Sequence, residues 1–254
     1  MADIIAVANQ KGGVGKTTTA VNLAASLAVA EKKTLLVDMD PQGNACSGVG
    51  VHAGDNDYTV YDALLDPAVI KHCIVDTELD FLKVVPSNTQ LIGAELELVS
   101  ADNRERRLAN AIAVLQDDYD YIIIDCPPSL GLITINSLTV AQSVLVPLQC
   151  EYYAMEGLSQ LMKTIDLIQR GLNKKLILRG IVLTMFDQRN NLSHQVSEEV
   201  RGHFQDKVFH SVIPRNVRLS EAPSHGKPVL LYDINSRGSL AYMALAEEII
   251  TGGR

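Results

Sequence analysis

The sequence predicts an α/β fold in which a doubly wound, mainly parallel sheet carries helices on both faces. Short apolar runs alternate with longer segments of helical periodicity, as expected of successive βα units around a buried sheet. The 254 residues, 47% of them hydrophobic, are enough for one large α/β domain with a sizeable core. No repeat of fixed period and no linker rich in Gly, Pro or Ser divides the chain, so we expect a single domain over residues 1–254.

The predicted strands are apolar runs suited to burial on both faces. They span residues 4–8, 34–38, 81–85, 121–125, 143–147, 176–184 and 208–213. The predicted helices are longer segments, of which the first follows a glycine-rich turn and the last closes the chain. They span residues 17–30, 104–116, 155–170, 192–204 and 240–250.

The charge of the chain is distributed unevenly. Its formal net charge of -8 argues against a protein that is basic over its whole surface, but a whole-chain value can hide a local basic patch. Residues 171–227 hold nine of the 22 Lys and Arg and four of the six His, against five Asp and Glu. This segment is therefore where an anionic partner is predicted to bind.

Cysteine spacing and the N-terminal residues favour a cytoplasmic protein. The four cysteines include no C-x-x-C pair typical of zinc or redox sites, which indicates a reducing compartment. The N-terminus has no basic region or cleavage pattern, and no run of about 18 residues is apolar enough to cross a bilayer. We therefore expect no membrane association.

A glycine-rich loop between the first predicted strand and helix has the composition of a phosphate site. It reads Gln-Lys-Gly-Gly-Val-Gly-Lys-Thr-Thr over residues 10–18. Free backbone N–H groups and the helix dipole attract phosphates, Lys16 can reach the β- and γ-phosphates, and the Thr17 hydroxyl can ligate Mg²⁺. Gln10 stands where the standard P-loop pattern has glycine, so this P-loop is an atypical one.

Two other interpretations of the loop fit its residue types less well. A glycine-rich turn that binds nothing is an uncommon use of G-K-T-T between a strand and a helix. A dinucleotide site is favoured by Gly13, Gly15 and the later strand-end Asp38, but its third glycine would fall at Thr18. A dinucleotide site also has no role for the lysine and threonine, whereas a nucleoside triphosphate with Mg²⁺ needs both.

Three aspartates follow predicted strands. Asp38 and Asp40 come at the end of the second predicted strand, and Asp125 follows the apolar residues 122–124. Ligands of open α/β sheets bind at the carboxyl ends of the strands, where an aspartate can hold Mg²⁺ through water. Each aspartate alone could equally be a helix or turn cap, but three on the sheet that carries the phosphate loop favour a metal–nucleotide site.

Together these motifs resemble the deviant Walker A ATPases of the ParA/MinD group, and in particular the short chromosomal ParA proteins, also called Soj. The resemblance covers almost the whole chain. The matching stretches are K-G-G-V-G-K-T-T at 11–18, D-M-D-P-Q-G-N at 38–44, I-I-I-D-C-P-P-S at 122–129, E-Y-Y-A-M-E-G-L at 151–158 and V-I-P-R-N-V-R-L-S-E-A-P-S-H-G-K-P at 212–228. The resemblance implies a fold of the P-loop NTPase type and Mg²⁺-dependent hydrolysis of ATP to ADP and phosphate.

The resemblance also implies roles around the nucleotide. Lys11 would cross a dimer interface to the partner's ATP, as an arginine finger does, and Gly12 would let the two subunits approach closely. Lys16 would bind phosphate and Asp40 would position the attacking water, so that these two and Lys11 form the catalytic set. The implied nucleotide-binding residues are Lys11, Gly12, Gly13, Val14, Gly15, Lys16, Thr17, Thr18, Pro214 and Asn216.

The metal and the base are placed in the same way. Thr17 and Asp125, which matches the Walker B acid, would hold Mg²⁺. Thr184 and Asp187 lie where the group often frames the base, and residues 214–216 resemble the segment that packs on adenine and hydrogen-bonds to it. An ordinary turn after a strand is the alternative interpretation of that last segment.

DNA contacts are expected from the basic segment. Arg189 and Arg218 are the main candidates for contacts to DNA phosphates, and Arg201, Lys207 and Lys227 are further ones. For each of them taken alone, a solvated helix face is the alternative interpretation.

The function implied by the resemblance is a cytoplasmic, nucleoid-associated ATPase of chromosome or plasmid partitioning. ATP would close a sandwich homodimer, and the dimer would bind double-stranded DNA without sequence preference. A ParB-like protein would then trigger hydrolysis and release.

Other functions share such an ATP site. A MinD-like, membrane-associated cell-division ATPase is the main alternative, but it needs an amphipathic targeting helix, and residues 251–254 follow the last predicted helix directly. A reductase of the nitrogenase iron-protein type needs interface cysteines, and Cys126 has no second cysteine in a matching position. A plasmid ATPase with a helix-turn-helix domain needs more chain before the loop, and a metal-cluster carrier needs a C-x-x-C pair.

Overall fold

A central sheet of eight strands organises the residues that the computed structural model describes, which are 1–52, 54 and 57–252. In chain order the strands are β1 (Asp3–Val7), β2 (Thr34–Asp38), β3 (Val75–Asp76), β4 (Leu82–Val85), β5 (Tyr121–Asp125), β6 (Ser143–Gln149), β7 (Ile177–Phe186) and β8 (Val208–Pro214). Their spatial order is β3-β4-β2-β5-β1-β6-β7-β8. All neighbouring strands are parallel except β3 and β4. The predicted mainly parallel sheet is therefore confirmed.

Helices connect the strands and cover the sheet. The α-helices are α1 (Lys16–Val29), α2 (Asn44–Ser47), α3 (Val60–Leu65), α4 (Leu91–Glu97), α5 (Arg107–Ile112), α6 (Leu132–Val140), α7 (Ala154–Gly171), α8 (Asn191–Phe204), α9 (Val217–Glu221), α10 (Val229–Tyr232) and α11 (Arg237–Thr251). Shorter 3-10 turns span Pro67–Cys73, Leu98–Ser100, Arg104–Arg106, Gln205–Lys207 and Ala222–His225. None of the helices in the described part of the chain combines the length and the apolar character that crossing a membrane requires.

Both faces of the sheet are buried under helices. In β1, Ile4 and Ala6 pack into one apolar cluster, with residues of α3 to α8. Ile5 and Val7, which point to the opposite face, pack into a second cluster with residues of α1, α2, α10 and α11. This alternation along a strand that is apolar throughout is the doubly wound arrangement that the sequence predicts.

Several elements differ from the prediction, which placed no helix at α2, α3, α4, α6, α9 or α10. The antiparallel edge strand β3 has two residues, too few for a pattern. The predicted helix over 104–116 is instead a 3-10 turn followed by the short α5. Helix α6 has no polar face because the residues on most of its sides are buried, so helical periodicity could not reveal it.

Strand register brings the acidic strand ends to one edge of the sheet. Strand β5 lies between β1 and β2, with Asp125 opposite Val7 on one side and opposite Asp38 on the other. The phosphate loop leaves β1 at this same edge. The carboxyl ends of three neighbouring strands therefore meet where α/β proteins bind ligands.

Candidate functional site

The loop between β1 and α1 has a backbone that requires glycine at two positions. Gly13 and Gly15 have φ values of 74° and 87°, a left-handed conformation that glycine adopts without strain. Gly15 is also the N-cap of the 14-residue helix α1, and no side chain caps the first N–H groups of this helix. The Val14 carbonyl accepts a 2.8 Å hydrogen bond from Thr184 Oγ1, which fixes the middle of the loop to β7. The start of α1 is therefore suited to bind an anion.

The two lysines of the loop lie in different surroundings. Lys16 is 7% exposed, and its Nζ donates a 3.0 Å hydrogen bond to the carbonyl oxygen of Lys11. Burial lowers the pKa of Lys16, while the Asp125 carboxylate acts in the opposite direction. The ammonium of Lys11, half-exposed, forms an ion pair with Glu151 of the same chain. Lys16 is thus held within the loop, whereas the Lys11 side chain is bound at the surface.

The two neighbouring strand-end aspartates are fully buried but differ in their hydrogen bonds. Asp38 accepts hydrogen bonds from the backbone N–H of Asp40 at 3.0 Å and from the N–H and thiol of Cys46 at 3.0 and 3.1 Å. Burial raises the pKa of Asp38 to about 6. Neither carboxylate oxygen of Asp125 has a hydrogen-bond partner, and burial raises its pKa well above the usual range. Asp38 is thus a structural anchor, and Asp125 is left unsatisfied.

The unsatisfied Asp125 fits a nearby cation. An ionised carboxylate buried without a partner is costly, so a compensating positive charge is expected beside it. The Thr17 hydroxyl and the Lys16 ammonium lie near enough to oppose the rise in its pKa. Among the described residues no group of three His, Cys, Asp or Glu side chains could hold a metal by itself. Thr17 and Asp125 are therefore the residues that could hold an ion here, if the ion took its other ligands from phosphates and water, as Mg²⁺ commonly does. Their role as metal ligands stays a prediction.

A large cavity opens on the phosphate loop. Its volume is about 610 Å³. Among the predicted site residues, those that line it are Gly12, Gly13, Gly15, Lys16, Thr17, Thr18 and Asp40. Asp40 Oδ1 accepts a 3.0 Å hydrogen bond from the N–H of Gln42, which orients the carboxylate at the cavity wall.

A smaller cavity adjoins the first one. Its volume is about 160 Å³, and Gly15, Thr18 and Met185 line both cavities. Thr184, Pro214 and Asn216 line the smaller cavity, in the place where the resemblance puts a base. The site thus consists of two separate but adjoining spaces.

Comparison with known proteins defines the family. A family model described as an AAA domain matches residues 2–178. The chromosome partitioning protein ParA of Myxococcus xanthus is 62% identical over 247 residues, which are 97% of this chain and 87% of that protein. The chain belongs to the ParA/Soj family of P-loop ATPases. The sporulation initiation inhibitor protein Soj of Bacillus subtilis is 57% identical over 253 residues and matches over 100% of both chains.

The ParA/Soj fold is also found in solved structures. Cobyrinic acid a,c-diamide synthase from Mycobacterium smegmatis, solved with bound ADP and magnesium, superposes with a TM-score of 0.87 at 36% sequence identity. The match covers 100% of this chain and 97% of that chain. The resemblance that the sequence motifs indicate is confirmed.

In this ParA/Soj chain, the two arginines predicted to contact DNA are paired with carboxylates of their own chain. Arg189, in the loop before α8, is 90% exposed and lies 3.1 Å from Asp187. Arg218, on α9, lies 2.8 Å from Glu221 and 3.2 Å from Asp233. The carboxylates compete with any phosphate for these guanidinium groups. Their DNA contacts stay a prediction.

The structure adds site residues that sequence reasoning missed. Glu151 lies in one of the stretches that match the family. Its ion pair with Lys11 was missed because the two residues are 140 positions apart in the sequence. Met185 adopts a positive φ of 50°, a strained conformation beside both cavities. Tyr242 lines the smaller cavity from the C-terminal helix, and no motif marks it. Asp187, which was expected near the base, does not line the smaller cavity. Its carboxylate forms an ion pair with Arg189 instead.

Proposed function

We propose that this chain is an Mg²⁺-dependent ATPase of chromosome or plasmid partitioning, acting as one domain over residues 1–254 in the cytoplasm at the nucleoid. The observation that carries the proposal is the phosphate loop, with one lysine inside it and a second at its surface, beside a buried unpaired carboxylate. A relative that is 62% identical is named a chromosome partitioning protein.

ATP with Mg²⁺ is the ligand that the two cavities fit. The triphosphate would lie in the cavity of about 610 Å³ against the start of α1, and the base would occupy the adjoining one. Thr17 and Asp125 would hold Mg²⁺, which neutralises phosphate charge when bound. The Mycobacterium smegmatis relative has been solved with ADP and with an ATP analogue, both with magnesium.

Hydrolysis would use the polar groups at the wall of the larger cavity. The Asp40 carboxylate is held by the Gln42 N–H and would accept a hydrogen bond from the attacking water, which orients it. The Lys16 ammonium would place positive charge against the β- and γ-phosphates, where charge develops in the transition state. Catalysis by such groups consists of positioning and electrostatic stabilisation.

A second copy of the chain is the proposed partner across the phosphate loop. At Gly12 a Cβ would meet no atom within 4 Å, and the φ of Gly12 is not positive, so nothing within the described chain requires glycine there. Close approach of another subunit would explain it. Lys11 would leave Glu151 and reach the ATP of the partner in that dimer, which is the role of an arginine finger supplied in trans.

The ATP-bound dimer would bind double-stranded DNA without sequence preference, and a ParB-like protein would stimulate hydrolysis and release. Two copies of the basic segment on one surface allow several phosphate contacts to form together, which a monomer with a net charge of -8 does not offer. Arg189 and Arg218 would exchange their carboxylate partners for DNA phosphates. No membrane is part of this cycle.

Nucleotide titration tests the proposal at its first step. Isothermal titration with a non-hydrolysable ATP analogue and Mg²⁺ is expected to show tight binding by the wild type and none by Lys16→Ala. Lys163→Ala, which removes an exposed lysine of α7, is the matched control and should bind normally. Near-wild-type affinity of Lys16→Ala would remove this lysine from the site.

Vesicle binding decides between partitioning and the MinD-like alternative. The proposed function predicts ATP-dependent sedimentation with DNA and none with vesicles of anionic phospholipid. ATP-dependent binding to the vesicles without binding to DNA would favour the membrane-associated cell-division ATPase.

A further inference from the structure

The C-terminal helix α11 reaches the smaller cavity through one buried tyrosine. Tyr242 is 1% exposed and lines this cavity together with Gly15 and Thr18 of the loop–α1 junction. Its hydroxyl lies 3.1 Å from Thr19 Oγ1, and either oxygen can be the donor. A residue near the end of the chain thus contacts the first turn of the phosphate-binding helix.

Thr19 connects this contact to the phosphate loop. It is fully buried, and its backbone N–H donates a 2.8 Å hydrogen bond to the carbonyl oxygen of Gly15. This bond is the first i→i−4 hydrogen bond of α1, so the Thr19 backbone is fixed to the last residue of the phosphate loop, while its side chain is bound to α11. Thr19 therefore links the phosphate loop, through its backbone, to the wall of the smaller cavity, through its side chain.

The packing of α11 sets the position of a second lining side chain. Leu219 lines the smaller cavity and packs against Gly238 at the start of α11, where a Cβ would lie 2.7 Å from Leu219 Cγ. A side chain at this glycine would have to displace Leu219. The placement of α11 therefore controls the shape of the cavity at more than one point.

The hydrogen bond between Tyr242 and Thr19 is strongly favoured because both hydroxyls are buried. A buried hydroxyl without a partner loses its hydrogen bonds to water without replacement. Burial also raises the pKa of the Tyr242 hydroxyl, so it stays protonated and can donate or accept. Either residue would leave the other unsatisfied if it moved away.

We propose that Tyr242 is a positioning residue for the nucleotide. Through Thr19, Tyr242 holds the wall of the smaller cavity, where the base would bind, at a fixed distance from the phosphate loop. Base and phosphates are joined covalently, so the affinity for a whole nucleotide depends on this spacing, whereas that for a free phosphate chain does not. The inference rests on the proposed function in requiring that a nucleoside triphosphate binds here.

Removing the tyrosine hydroxyl alone tests this role. Tyr242→Phe keeps the ring in the cavity wall and is expected to weaken the binding of an ATP analogue by roughly fivefold to tenfold. Binding of inorganic tripolyphosphate with Mg²⁺ should change by less than about twofold, because only the phosphate loop holds it. In turnover assays the KM for ATP should rise while kcat stays at the wild-type value.

A second variant and a control keep the result specific. Thr19→Val removes the other hydroxyl at nearly constant volume and should reproduce the selective loss, and the double variant should be no weaker than either single one. Tyr121→Phe is the control. Tyr121 lies at the amino end of β5, away from the strand ends that carry the phosphate loop, so both affinities should be unchanged. Thermal unfolding of each variant establishes that it is folded.

Three results of these binding measurements would overturn the role of Tyr242. Equal losses for the ATP analogue and tripolyphosphate, unchanged affinity for the analogue, or losses that add fully in the double variant would each do so. A wild type that binds neither ligand would refute the proposed function itself, and is distinguishable from these results.

Discussion

Replacing Gly12 with valine is expected to separate nucleotide binding from dimerisation. A side chain at this position would meet no atom within 4 Å in the described chain, and Gly12 is not among the glycines with positive φ. Valine should therefore leave the fold intact, and the monomer should still bind ATP. The cost should arise only where a second phosphate loop approaches.

The size of that cost follows from close packing and symmetry. Forcing extra methyl groups into a packed contact costs about 1–3 kcal/mol. A symmetric dimer carries the substitution twice, so dimerisation should weaken by about 2–6 kcal/mol. At about 1.4 kcal/mol per factor of ten, the dimer Kd should rise roughly 30-fold to 20,000-fold.

Light scattering and isothermal titration measure the two properties independently. With a non-hydrolysable ATP analogue, the Gly12→Val protein should bind nucleotide and remain monomeric at concentrations at which the wild type is dimeric. Gly171→Val is the matched control, since a Cβ at that glycine at the end of α7 also meets no atom within 4 Å. Wild-type dimerisation of Gly12→Val would show that the two phosphate loops do not meet at Gly12, and loss of ATP binding by its monomer would show that valine disturbs the loop itself.

Further substitutions test hydrolysis, DNA binding and the position of the dimer interface. Asp40→Ala should bind ATP and accumulate as an ATP-bound dimer, because a water-orienting carboxylate acts mainly in the transition state; unchanged turnover, or only monomer in light scattering with ATP, would contradict this role. Arg189→Ala and Arg218→Ala should each weaken DNA binding by a similar factor on every duplex and lower the salt slope by about one per lost contact per chain. Surface plasmon resonance across a salt series, with and without ATP, measures this, and ATP-independent binding or unchanged affinity of both variants would count against the basic segment. Tyr152 follows Glu151, the ion-pair partner of Lys11, and is 78% exposed in a chain without tryptophan. Burial of this surface in the proposed dimer should therefore shift the emission of Tyr152→Trp to shorter wavelength with ATP. The shift should be absent when Gly12→Val is added, and a shift that persists in that monomer would place Tyr152 outside the dimer contact.

Prediction from sequence succeeded where the signal is local. The strands β1, β2 and β5 have continuous apolar runs, and the loop at residues 10–18 carries its chemistry in consecutive residues. Helix α6 was not predicted, because it is buried on most sides and so lacks the alternation of polar and apolar faces by which a helix is recognised in a sequence.

Contacts between distant segments were the part of the site that sequence reasoning could not reach. The ion pair of Lys11 with Glu151 joins residues 140 positions apart, and the hydrogen bond of Thr19 with Tyr242 joins residues 223 positions apart. No spacing rule along the chain reports such a contact. The ion pairs of Arg189 and Arg218 with nearby carboxylates could not be predicted either, because counting charges by segment does not show which side chains meet.

The alternation of strands and helices, the glycines of the phosphate loop and the family can all be inferred from the amino-acid sequence, since they depend on short-range patterns and on consecutive residues. Tertiary structure alone decided that Asp125 lies beside Asp38 with no partner of its own, and that the surface lysine of the loop is held by Glu151. Strand order and register place side chains in space, and they arise from the packing of two helical layers on one sheet. Burial and position then set which carboxylates find hydrogen-bond partners within the chain, as Asp38 does, and which do not, as with Asp125.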